Sequence, residues 1–152
     1  MKTIILLVFL IGLSLSYDTA VAIKYARSYC SHPNPKFSVN YASVGEEDSA
    51  HFVSECMQAG GIDFRTCSVS WIDSYGLLPR VRDLKSCLQQ KGWKHSTSRP
   101  ASFKAGYPIF STQYEHAMIA TGISGGSVRF CAHTPDRCDA TISNNNIEYY
   151  YE

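Results

Sequence analysis

The chain has 152 residues, 45% hydrophobic and 18% charged, with 14 Lys and Arg against 13 Asp and Glu. That length fits one domain, and that balance excludes a disordered acidic or basic chain. It also gives no electrostatic basis for binding nucleic acid or an anionic membrane.

The N-terminus sets the expected compartment. Lys2 precedes the apolar run Ile4 to Leu13, and Ser14 and Ser16 place small residues at the −3 and −1 positions of a cleavage site before Tyr17. Residues 1–16 therefore read as a secretory signal peptide, and an uncleaved anchor is the weaker reading because the apolar core is short for a bilayer. Residues 17–152 are then one secreted domain, expected to be monomeric. In that compartment Cys30, Cys56, Cys67, Cys87, Cys131 and Cys138 can form three disulfides, and six cysteines allow fifteen pairings, among which the sequence does not choose. Zinc is the rival reading, but no Cys-x-x-Cys spacing occurs, and neither a metal nor a cofactor is expected.

In chain order, Asp18 to Arg27 has helical character and ends in the loop Ser31-His32-Pro33-Asn34-Pro35. Asp48 to Ala59 repeats Phe52, Val53, Cys56 and Met57 at helical spacing, with Gly60-Gly61 as its stop. A short helix is expected after Trp71-Ile72, and Val81 to Lys91 reads as another, with Val81, Leu84, Cys87 and Leu88 on one face. Strands follow: Tyr107–Ser111, Ala117–Ile123, then Val128–His133 after the hairpin turn Ser124-Gly125-Gly126-Ser127, and Ile147–Tyr151 after the turn Asn144-Asn145-Asn146. Helices first and an antiparallel sheet second predict an α+β domain.

Two of the five histidines stand in suggestive places. His116 opens one strand of the predicted hairpin and His133 closes its partner, so the two are expected near one rim of the sheet. There they form either a base with the group that orients it, or two hydrogen-bonded structural histidines.

The stretch Asp48-Ser49-Ala50-His51-Phe52-Val53-Ser54-Glu55-Cys56-Met57-Gln58-Ala59-Gly60-Gly61 resembles a signature of the putative amidase domain family. Its members are small secreted or cell-wall proteins related to the NlpC-type branch of papain-like cysteine peptidases. The resemblance extends to Ala22-Ile23-Lys24-Tyr25-Ala26 and Pro33-Asn34-Pro35-Lys36-Phe37, and resumes at His116-Ala117-Met118-Ile119-Ala120-Thr121-Gly122 and Ala132-His133-Thr134-Pro135-Asp136-Arg137. It implies a papain-like fold with the nucleophile-position helix packed on an antiparallel sheet. It also implies a nucleophile at the N-terminus of the central helix, where the dipole lowers a thiol pKa. That position is Ser49. The resemblance gives His116 as general base and His133 as the orienting residue, with Asp136 the weaker candidate for that role. Backbone N–H groups near the helix N-terminus would receive the oxyanion.

Family members carry cysteine where this chain has Ser49, and a serine hydroxyl needs His116 to remove its proton during attack. Ser49 reads as a naturally inactivated enzyme, a natural serine variant or an engineered Cys→Ser, and the leader still present favours a natural one. With cysteine at 49 the count would be seven, three bridges and one free nucleophile. Cys56 lies roughly 10 Å further along the helix axis and reads as a core or disulfide cysteine, not a replacement nucleophile. His51 falls on another face of the helix, Glu55 is assigned at most a local cap or pair, and the Tyr149-Tyr150-Tyr151 tail carries no chemistry. Trp71 and Tyr75 are candidates for lining a substrate groove, with core packing as the alternative. The resemblance implies hydrolysis of an amide bond in peptidoglycan stem peptides. The rival readings are an inactive pseudoenzyme that binds cell-wall peptides and a structural secreted protein without an amidase substrate.

Overall fold

Asp18 starts the first helix by accepting a hydrogen bond from the Val21 amide at 3.1 Å, and α1 runs Thr19–Tyr29. The computed structural model describes residues 16–37 and 48–152, so the expected leader lies outside the described residues except for Ser16. Ala22 and Ala26 are fully buried on the face of α1 that packs on α2, where methyl side chains allow close approach.

The central helix, α2, spans Ser49–Ala59, and every residue from Ser49 to Met57 is buried. The expected glycine stop divides its work between two residues. Gly61 takes the left-handed conformation (φ 106°), whereas Gly60 stays right-handed and is needed for a close approach. A Cβ on Gly60 would lie 2.5 Å from the Tyr17 ring and 2.8 Å from the Asp18 carbonyl oxygen. The Asp18 amide donates to the Gly60 carbonyl at 2.8 Å, joining the start of α1 to the end of α2.

No helix follows Trp71-Ile72. Asp73 accepts from the amides of Tyr75 and Leu77, both at 2.9 Å, and Asp83 accepts from those of Ser70 and Trp71. Asp73 thereby takes two amides that a helix after Ile72 would have used, while Asp83 ties the segment before it to α3. Helix α3 then spans Val81–Gln90, burying Leu84, Cys87 and Leu88.

The strands are β1 (Lys94–Ser96), β2 (Pro108–Ser111), β3 (Ala117–Ser124), β4 (Ser127–Ala132), β5 (Arg137–Ser143) and β6 (Ile147–Tyr151). They form one antiparallel sheet in the order β1-β6-β2-β3-β4-β5, with Ile109 opposite Met118 and Ile119 opposite Cys131. The architecture is the expected α+β one, α1 and α2 lying against β3 and β4. β1 and β5 were not expected. Both are edge strands: β1 is polar throughout, whereas β5 alternates Cys138, Ala140 and Ile142 with polar residues, a period-two signal that the sequence does carry.

Two disulfides form where three are expected. Cys30 at the end of α1 joins Cys138 on β5, and Cys67 joins Cys87 on α3. Cys56 and Cys131 are free thiols, both fully buried.

Candidate active site at the N-terminus of the central helix

Ser49 is the first residue of α2 and is 1% exposed. Its Oγ accepts from the Ala117 amide at 3.4 Å, which seats residue 49 against the opening of β3, one residue from His116. His116 is buried, and its carbonyl accepts from the Ser111 amide at 3.0 Å, closing the β2–β3 turn. The Tyr114 ring, 60% exposed on that turn, stacks on the His116 imidazole with centroids 5.5 Å apart and planes at 26°. Helix and hairpin thus bring residue 49 and the opening of β3 together across 68 residues of sequence.

His133 follows the last residue of β4 and faces the helix. Its Nδ1 lies 2.7 Å from Asp48 Oδ2 and its Nε2 lies 2.6 Å from the Tyr29 carbonyl oxygen. The imidazole stacks on Phe52, with centroids 3.9 Å apart and planes at 19°. Both ring nitrogens are therefore engaged with α1 and the start of α2. A hydrogen bond from His133 that would orient His116 has no ring nitrogen left to carry it. Asp136, the weaker candidate, is exposed in the turn before β5.

Asp48 is the hub of a buried ionic network absent from the sequence reading. Besides His133, it meets His51 Nδ1 at 3.5 Å, while His51 Nε2 lies 2.9 Å from Asp73 Oδ2. Burial favours the neutral form of His51, but the bonds to Asp48 and Asp73 outweigh it and raise its pKa to about 9. Burial pushes Glu55 up to about 7, against the pull of His51. Asp48 is held below its ordinary value: burial opposes ionisation, yet its bonds to His133 and His51 more than offset it. The signal for this cluster was the spacing: His51 stands three residues after Asp48 and Glu55 four after His51, on adjoining helix turns.

A measurable pH dependence follows. Glu55 and His51 both bind their protons more tightly in the folded chain than in the unfolded one. The contribution of Glu55 is complete below about pH 4.5 and is lost as pH rises through about 7; that of His51 is complete below about 6.5 and is lost through about 9. The thermal midpoint is expected to fall between about pH 5 and 9, and Glu55→Gln to flatten the acid half of that fall. A midpoint that rises with pH across this window would contradict the network.

The two aromatic candidates part company. Trp71 is half-buried, with the Arg80 guanidinium 5.1 Å over its ring. Tyr75 packs edge-on against Phe37, and its carbonyl accepts from the Gln58 side chain. Gln58 is nine residues beyond Ser49, roughly 13 Å along the axis, so Tyr75 flanks the opposite end of α2. Cys56, fully buried with its thiol pKa pushed up by desolvation, has the character of a core cysteine and not of a nucleophile.

No curated protein matches the chain. Among solved structures, the fold is similar to that of Ly7917, described with the hydrolysing product of MDP, at 17% identity and a TM-score of 0.50. The match covers 87% of this chain and 61% of that one, so this chain spans less than two thirds of its length. The model of the putative amidase domain matches residues 16–151, and the chain belongs to that family.

Proposed function

We propose that the protein is a secreted amide hydrolase of the papain-like type, acting on peptidoglycan peptides, with Ser49 in the nucleophile position and activity reduced by that residue. The observation that carries this reading is the contact of Ser49 Oγ with the Ala117 amide, which sets residue 49 beside the strand that His116 opens. Family membership supports amide chemistry, and the ligand named for Ly7917 supports peptidoglycan fragments as the substrate class. Secretion is supported by the two disulfides and by the leader-like first sixteen residues.

In this mechanism the side chain of residue 49 attacks the scissile carbonyl carbon while His116 takes its proton. The amide C–N bond then breaks, His116 returns the proton to the leaving amine, and water hydrolyses the acyl-enzyme. Amides of the first turn of α2 receive the oxyanion. A thiol suits this site better than a hydroxyl, because His116 and the helix N-terminus can hold a thiolate but not an alkoxide.

Ser49→Cys is therefore expected to release amines from purified peptidoglycan at least about ten times faster than the native chain, measured by derivatising the new amino groups. Turnover by neither protein, together with retention of the native chain on the insoluble polymer, would replace the hydrolase with the second reading, a peptide-binding pseudoenzyme. Absence of both would remove peptidoglycan as the ligand.

A further inference from the structure

The contacts of His133 fix its protonation by geometry. A carboxylate and a carbonyl oxygen can only accept, and each stands within 2.7 Å of a different ring nitrogen. A neutral imidazole carries one N–H, so one of the two contacts would be acceptor against acceptor in a site where His133 is 3% exposed. Only the imidazolium satisfies both.

The partner it holds is the residue immediately before Ser49. The Asp48 carboxylate makes no capping hydrogen bond to the backbone amides of its own helix. An aspartate at this position ordinarily turns its carboxylate onto the second or third amide of the helix, the same donors that an oxyanion would need. Here one carboxylate oxygen is drawn to His133 and the other faces His51. The neighbouring Thr134 hydroxyl accepts from the Asp48 amide at 3.3 Å, so consecutive residues after β4 grip both the side chain and the backbone of Asp48. Phe52, one turn on, stacks against the imidazole and fixes its plane.

We propose that His133 is a positioning residue for the nucleophile end of the site. Held as an imidazolium between the Tyr29 carbonyl and Asp48, it keeps the Asp48 carboxylate off the first amides of α2 and leaves them to the substrate oxyanion. It neither orients His116 nor exchanges a proton with it. The role rests on the reading of residue 49 as the nucleophile position. The other charged groups around His133 are Glu55 and His51 from α2 and Asp136 from the turn before β5; α1 contributes the Tyr29 carbonyl. Glu55 and Asp136 favour the imidazolium; His51, which shares the Asp48 carboxylate, opposes it, and the two acceptors within 2.7 Å of the His133 ring hold the charge against that repulsion.

The test uses the native chain labelled with nitrogen-15 on histidine, whose ring nitrogens report directly whether each carries a proton. At pH 7.5, above the ordinary histidine value of about 6.5, both nitrogens of His133 are expected to be protonated. A spectrum with one bare ring nitrogen would overturn the proposal, whatever the catalytic activity. His133→Gln supplies the second arm, also free of activity. The titration midpoint of His116 is expected to move by less than about half a pH unit, and a shift of a full unit or more would return His133 to the role of orienting His116. In the Ser49→Cys background, His133→Gln is expected to lower kcat about ten-fold or more at near-constant KM, since an oxyanion contact acts in the transition state. If Ser49→Cys shows no turnover, the hydrolase reading fails while the nitrogen spectra still decide the protonation and partner of His133.

Discussion

His116→Ala, introduced beside Ser49→Cys, is expected to lower amine release from peptidoglycan by about 10²–10⁴-fold, the usual range for removing a general acid–base group. His116 is the imidazole on the strand against which residue 49 is seated, since the amide touching Ser49 Oγ belongs to Ala117. Its backbone is fixed by the Ser111 amide and its ring is covered by Tyr114. In the proposed mechanism, truncation removes both the acceptor for the nucleophile's proton and the donor for the leaving amine. The effect should fall on kcat, because binding of the peptide does not depend on that proton. The variant should also fold, as Ala117, Met118 and Ile119 of β3 keep their buried places and their pairing with β2. A loss of less than about ten-fold in a folded variant would exclude His116 as the base.

Replacing both Cys30 and Cys138 by Ala is expected to cost about 4–5 kcal/mol of folding stability, and the Cys67/Cys87 pair about 3. The difference follows from the loops: the first bridge closes 108 residues of separation and the second only 20. Cross-linking a longer loop removes more conformational freedom from the unfolded chain. At the scale usual for a domain of this size, the first change corresponds to a fall in Tm of roughly 10–20 °C. The long bridge lies beside the β4–β5 pairing, a half-exposed Arg27–Asp139 ion pair at 3.1 Å and the Thr121 hydroxyl bond to Asp139, none of which replaces a covalent link between α1 and β5. Paired thermal melts of the two double variants settle the order. A larger loss from the short loop would mean that strain or residual structure, not loop length, governs these bridges.

The sequence carried the central elements because their chemistry is local. Phe52, Val53, Cys56 and Met57 announce α2 by spacing, and the apolar run from Ala117, followed by the Gly125-Gly126 turn, reads as a buried strand of a hairpin. The motif around Asp48 to Gly61 then placed residue 49 at a helix N-terminus, where the structure has it. What escaped depends on contacts between distant segments. Lys94-His95-Ser96 becomes a strand because Tyr149 to Tyr151 offers it an edge, not because its own pattern is strand-like. Asp73 abolishes an expected helix by taking two amides, a choice its local sequence leaves open. His133 stands near the predicted rim, but its ring direction is set by the Tyr29 carbonyl, 104 residues earlier. A register argument brings two backbones together and says nothing about where an imidazole points. His51 lies on a different helix face from Ser49, and that face is the one Asp73 meets from the loop before α3.

The two sealed thiols bear on how the chain oxidises. Cys56 sits in the middle of α2 and Cys131 on β4, both with no exposure, and Cys131 Sγ accepts the Asp139 amide. With Cys56 and Cys131 kept out of the bridges, the other four cysteines allow three pairings, against fifteen for six cysteines joined in three bridges. A chain whose core closes first reaches its native bridges by choosing among three arrangements, and an oxidant that arrives too early faces the full set.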